Sequence, residues 1–182
     1  MITVCIVHGC KGHPDKNWYP WLKKELEKLG CRVIVPAFPT PKNQTLQTWL
    51  AVLSSYDLPD DTIYVGNSLG VAFILHVLEE RKALAAFFVA GFIGDIDYAY
   101  NSTMTSFTQK PFLWNKIKKN CRLFQVIISD DDPFVTVEKG DEIAHNLGVS
   151  IDLVQGAGHF NTRLPGWDKF PLLLQKIRQI LL

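Results

Sequence analysis

The chain has no excess of charge of either sign. Nineteen Lys and Arg stand against eighteen Asp and Glu, a formal net charge of +1, and no basic run is longer than pairs such as Lys23-Lys24 and Lys118-Lys119. A nucleic acid or an anionic membrane would need a basic footprint, so neither is an expected partner. Long apolar runs are missing too. Met1–Val7 is apolar but far too short to span a bilayer, and it has neither the basic start nor the small-residue cleavage site of a secretory leader. It reads as a buried strand. Cysteine is scarce: Cys5, Cys10, Cys31 and Cys121 show no C-x-x-C spacing, which argues against a disulfide scaffold and a structural zinc site. Buried free thiols in a reducing, cytoplasmic setting are the expectation. No G-x-G-x-x-G follows the first apolar run and no loop matches a P-loop, so no cofactor and no metal are expected. Repeats, low-complexity tracts and interdomain linkers are also lacking. One domain over residues 1–182 is expected, long enough to bury roughly 70% of its unfolded surface in a single core.

What is present is an alternation of two patterns. Short runs rich in Val and Ile occur at Thr3–Val7, Arg32–Pro36, Thr62–Val65, Ala85–Ala90, Leu123–Ile128 and Ile151–Val154. They are nearly continuous in apolar character, as strands buried on both faces should be. Between them lie helix-period stretches. Trp18, Leu22, Leu26 and Leu29 share a face that Gly30 ends; Leu46, Trp49, Leu50 and Leu53 make a second. Ser68–Arg81, Trp114–Lys119, Val137–Leu147 and Trp167–Leu182 complete the set. Crossover helices between strands imply a parallel sheet, so the expected fold is α/β: three layers, doubly wound, with six mostly parallel strands.

Gly66-Asn67-Ser68-Leu69-Gly70 lies between a strand pattern and a helix pattern. A G-x-S-x-G pentapeptide in that setting is a nucleophile elbow, with serine on a tight turn at the carboxyl edge of the sheet. The glycines remove side chains that would collide with the turn. An ordinary Gly-rich turn with a capping serine is the plainer alternative.

A serine needs a base, and the base an orienting carboxylate. Three histidines follow Ser68. His76 lies within the elbow helix and reads as a satisfied core residue, and His145 as a surface one. His159 lies in the glycine-flanked loop Gly156-Ala157-Gly158-His159-Phe160 after the last strand, where it can reach over the sheet edge. For the acid, Asp130-Asp131-Asp132-Pro133 follows another strand. Asp132 is the first choice because Pro133 stiffens its backbone; Asp131 is second, and the remaining acids read as solvated charges or turn formers. Backbone N–H donors for an oxyanion are expected from Leu69, next after the nucleophile, and Cys10, in the loop after the first strand. His8 then reads as structural, and His13 as either a rim or a plain loop residue.

These residues sit in a wider pattern. Trp18-Tyr19-Pro20-Trp21-Leu22-Lys23-Lys24-Glu25-Leu26, the elbow, Lys110-Pro111-Phe112-Leu113-Trp114-Asn115-Lys116-Ile117-Lys118, Asp131-Asp132-Pro133-Phe134 and Gly158-His159-Phe160-Asn161 together resemble the small serine hydrolases grouped with retinoblastoma-binding protein 9 and its bacterial relatives. The resemblance implies a compact α/β-hydrolase without a large lid, a Ser68-Asp132-His159 triad, and hydrolysis of small esters or amides. Asn67 and Leu69 stand where some relatives carry His and Ser. The L-x-C-x-E segment of the retinoblastoma interaction is not in the sequence, so that partner is not carried over.

Phe112, Trp114, Phe134 and Phe160, with Phe92, are candidate pocket aromatics, though core packing explains each equally well. Residues 91–109 show little periodicity and read as a candidate mobile flap. No cluster of Lys or Arg is seen in the sequence, which points to small, mostly neutral acyl groups. The rival reading is a non-catalytic interaction module on the same scaffold.

Overall fold

The computed structural model describes residues 1–163 and 166–181. Strands β1 (Thr3–Val7), β2 (Arg32–Ile34), β3 (Ile63–Asn67), β4 (Ala85–Val89), β5 (Phe124–Ser129) and β6 (Ile151–Val154) form one sheet in the order β2-β1-β3-β4-β5-β6. Every pairing is parallel. Successive side chains of each strand point to opposite faces, which is why the apolar runs are continuous rather than alternating. Val4, Ile6, Ile63, Val65, Phe87 and Val89 enter one core layer; Cys5, Val7, Tyr64, Ala86 and Phe88 enter the other.

Helices α1 (Tyr19–Lys28) and α7 (Pro171–Leu181) cover the first layer. The second lies under α2 (Leu46–Leu53), α3 (Leu69–Glu80), α4 (Thr105–Thr108), α5 (Trp114–Asn120) and α6 (Val137–Leu147). α3 has no solvated face over its first eleven residues, Leu69 to Glu79, as its nearly uniform apolar sequence requires. The expected fold class is the one observed, with boundary differences that have physical causes. β2 stops at Ile34 rather than Pro36, since proline has no N–H to donate to a ladder. β3 runs on through Gly66 and Asn67, paired with Phe88 and Val89 of β4. α7 begins at Pro171 rather than Trp167, because proline disfavours helix in the residue before it and is well suited to the first turn.

The chain runs outward from β1 to β2, then returns to the other side of β1 to lay down β3. A parallel sheet opens a crevice at such a reversal, outside the carboxyl ends of its strands. Here the loop after β1 and the turn after β3 face each other across it. Their approach is close: a side chain on Gly9 would bring its Cβ to 2.8 Å from Ser68 Cβ. One on Gly70 would run into the Val7 carbonyl and come within 2.9 Å of that of His8. Glycine at these positions lets β1 and the start of α3 pack backbone to backbone.

Candidate active site

Ser68 lies between β3 and α3 with φ 55° and ψ −122°. An L residue held there carries strain of about 1–3 kcal/mol, which the surroundings must enforce. They do so from two sides. The Ser68 N–H donates to the Val89 carbonyl of β4 at 2.8 Å. Inside, the Asn67 amide donates to that same carbonyl at 3.3 Å and accepts the Tyr19 hydroxyl of α1 at 2.7 Å. Burial pushes the Tyr19 phenol up, so it stays a donor.

His159 presents Nδ1 to Asp132 Oδ2 at 2.7 Å. The other carboxylate oxygen accepts the N–H groups of Phe134 and Val135 at 2.9 and 3.1 Å. With both oxygens acting as acceptors, the proton of this pair belongs on Nδ1, and Nε2 keeps a lone pair. Asp132 is almost wholly covered at 1% side-chain exposure, while His159, at 14%, reaches the crevice. The Phe134 ring stands edge-on to the imidazole, centroids 5.3 Å apart.

The other two acids are not idle solvated charges, and this corrects the sequence reading. Asp130 Oδ1 accepts the Gly156 N–H at 2.8 Å, and Asp131 Oδ1 accepts the Gly158 N–H at 2.7 Å together with the Ser129 hydroxyl at 2.7 Å. Ser129 in turn accepts the Ala157 N–H. Three consecutive carboxylates at the end of β5 thus hold the loop after β6 at 156, 158 and 159. The Ser129 and Gly158 hydrogen bonds keep the Asp131 carboxyl below its ordinary range.

Leu69 opens α3, so its N–H has no partner within the helix. Cys10 lines the crevice beside Ser68, and among the described residues nothing accepts its N–H. The loop around Cys10 is set by His8, wholly buried. His8 Nε2 accepts the Phe38 N–H at 3.1 Å, so Nδ1 carries the proton and donates to the Gly9 carbonyl at 2.9 Å. Burial holds this imidazole below its ordinary range, consistent with a structural part. His13 sits outside the crevice, 3.3 Å from Asp15, and His145 is exposed on α6. His76 is buried, but only half satisfied: Nε2 meets the Phe107 carbonyl at 2.8 Å, while Nδ1 has no hydrogen-bond partner and lies 3.8 Å from the Glu79 carboxylate.

Ser68 and His159 share a cavity of about 280 Å³. Asn67 and Tyr19 also line it, with Gly9–Gly12 on one side and Phe134 with 161–163 on another. Lys16 and Asn17 line it as well, and a further wall is Ile96, Tyr98 and Met104, from the segment expected to be a mobile flap. That segment is tied down: Thr103 by Gln44, Ser106 by the Leu46 N–H, Phe107 by His76, and Ile93 by Lys139. Of the aromatics expected in the pocket, only Phe134 lines it. Phe112 packs on His76 and Trp114 at the far side of α3. Phe160 is turned away from His159 into the α1/α7 layer, stacked on Phe170, and Phe92 is wholly buried. In an aperiodic loop, neighbouring residues face opposite ways, and no periodicity in the sequence tells which one faces the cavity. Sequence reading also missed Lys11, Lys16 and Arg163, which all border the cavity. Among the described residues, no group of three His, Cys, Asp or Glu is placed to hold a metal ion, and no helix is long and apolar enough to cross a membrane.

A family model described as serine hydrolase matches residues 4–179. The chain is 33% identical to the YdeN protein of Bacillus subtilis (strain 168) over 163 residues, covering 86% of this chain and 85% of that one. It is 27% identical over 146 residues to the serine hydrolase RBBP9 of Rattus norvegicus, covering 79% and 78%. The crystal structure of the B. subtilis ydeN gene product superposes with a TM-score of 0.91 at 28% identity, covering 100% of this chain and 99% of that one. Mouse alpha/beta hydrolase domain-containing protein 10, at TM-score 0.68 and 14% identity, shares the fold over 98% of this chain and 89% of its own.

Proposed function

The chain belongs to the serine hydrolase family, and on that premise we propose that Ser68, His159 and Asp132 hydrolyse small esters or amides through an acyl-enzyme. The observation that carries this reading is the 2.7 Å bond from His159 Nδ1 to a buried Asp132, with Ser68 lining the same cavity. His159 Nε2 takes the Ser68 proton as Oγ attacks the carbonyl carbon. Asp132 holds the ring in the required tautomer and stabilises the imidazolium that forms. The negative oxygen of the tetrahedral adduct is held by the N–H groups of Leu69 and Cys10; one such donor is worth about 10²–10³ in rate. As the adduct collapses, the departing alcohol or amine takes the proton from His159. Water, deprotonated by the same imidazole, then releases the acid. A cavity of about 280 Å³ is near the small end of ligand sites, roughly 300–1,000 Å³, which favours compact substrates.

Labelling with a fluorophosphonate tests this. The expected result is one adduct at Ser68, and loss of both labelling and at least ~10³-fold of kcat in Ser68→Ala, with folding retained. A chain that neither labels nor turns over any ester or aminoacyl amide would instead be an interaction module on this scaffold.

A further inference from the structure

Lys11, Lys16 and Arg163 are spread over more than 150 positions of sequence, yet all three border the cavity that holds Ser68 and His159. No Asp or Glu lines that cavity. In a chain of net charge +1, this is a local excess of three positive charges at one crevice. Among the described residues none of the three belongs to an ion pair. Asp132 is committed to His159, Asp95 to Asn101 and Gln109, and Asp15 faces His13.

Two of the cations lie over aromatic rings, one of which, Phe134, lines the cavity. The Arg163 guanidinium lies over Phe134, 5.5 Å from the ring centre, and Phe134 in turn stands against His159. The Lys11 ammonium lies over Tyr100 at 4.9 Å, and its own N–H is fixed by the Thr40 hydroxyl at 2.7 Å, one residue beyond Cys10. Ring faces attract cations without neutralising them, so the charge stays free to act on a ligand. The Tyr98 hydroxyl in the cavity wall feels both: burial pushes its pKa up, while Lys11 and Arg163 pull the other way. Both cations border the cavity that Tyr98 lines.

Resting on the hydrolase reading, we propose that the natural substrate is an ester or amide bearing a carboxylate, held by Lys11, Lys16 and Arg163 while its carbonyl meets Ser68. A crevice lined by one sign of charge concentrates the opposite sign and selects for it. Arg163 can take a carboxylate through two parallel N–H donors, and the lysines through single ones. This reverses the sequence-based expectation of neutral acyl groups. Arg163 cannot be seen in the sequence as a partner of Lys11 and Lys16, because only the sheet brings the loop after β6 to the loop after β1.

The test compares esters matched in size. Mono-4-nitrophenyl adipate and 4-nitrophenyl heptanoate place or omit a carboxylate on the acyl side. 4-Acetoxybenzoate and its methyl ester do so on the leaving group. The quantity read is the ratio of kcat/KM, anionic over neutral, in the wild type and in Lys11→Gln/Lys16→Gln/Arg163→Gln. In at least one pair the ratio is expected to fall by about tenfold or more in the variant, and to narrow in the wild type as salt screens the charges. Partial unfolding lowers both rates and leaves the ratio in place. A ratio unchanged in both pairs overturns the proposal, and if Ser68 still labels with a fluorophosphonate the hydrolase reading stands without it. Absence of labelling removes both.

Discussion

Ser68, Asp132 and His159 stand out in the sequence as candidates because each sits beside something that only a special backbone needs. Gly66 and Gly70 flank the serine, Pro133 follows the acid, and Gly156 and Gly158 precede the histidine. What could not be read was the division of labour among Asp130, Asp131 and Asp132. Three identical side chains in a row differ only in which loop atom each one meets, and that is decided by the register of β5 against β6, where Ser129 pairs with Val154. The same register yields a graded prediction. Asp132→Asn keeps the fold but favours the wrong imidazole tautomer, so kcat is expected to fall by about 10³–10⁴-fold. Asp131→Asn keeps one acceptor oxygen but loses the charge that binds the Gly158 N–H and the Ser129 hydroxyl. An intermediate loss of about 10-fold is expected there, since misplacing a base costs rate without removing it. Steady-state kinetics on the two variants check the order, and a larger loss at Asp131 would contradict it.

At the level of elements, the six strands and the longer helices were legible because their periods are clean, while the segment between β4 and α5 was not. Its buried residues, among them Phe92, Met104, Phe107 and Phe112, follow no period, and individual polar ties fix the backbone between them. One tie is Glu79 near the end of α3, with 4% side-chain exposure. It accepts the Lys110 ammonium at 2.7 Å and the Leu113 N–H at 3.0 Å, and so fixes where the chain leaves the cavity wall and turns into α5. Glu79→Ala strands that N–H and is expected to cost about 1–3 kcal/mol of stability, readable by urea denaturation. Because Ile96, Tyr98 and Met104 belong to the same segment, KM is expected to rise more than kcat falls.

Across the whole molecule, the core layer under α2 to α6 holds two imidazoles that must stay neutral, His8 against Phe38 and Trp49 and His76 against Phe112. His8 and His76 both lie below their ordinary value of 6.5, chiefly through burial. Below that pH the unfolded chain binds protons that the native state refuses, so stability rises with pH across this window. The contribution is whole above about 6.5 and is lost as pH falls through the lower folded values. The urea midpoint is therefore expected to drop between about pH 7.5 and 5, with a shallower drop in His8→Gln. A midpoint that rises on acidification would contradict the assignment of a neutral His8 bonded to Gly9 and Phe38.

The proposed base, His159, hangs from an edge of the sheet. β6 is an edge strand whose one strand neighbour is β5, and none of its residues is fully buried. The serine, by contrast, stands on a central strand between β1 and β4. Opening of native structure begins where buried contacts are fewest. In a hydrogen-exchange experiment the amides of Gly156 and Gly158 would then lose protection in an early, local event, while Ser68 and α3 hold theirs until the molecule unfolds as a whole. Activity would disappear with the first of these events, so the enzyme would switch off while still folded, and recover as soon as three aspartates recapture one loop.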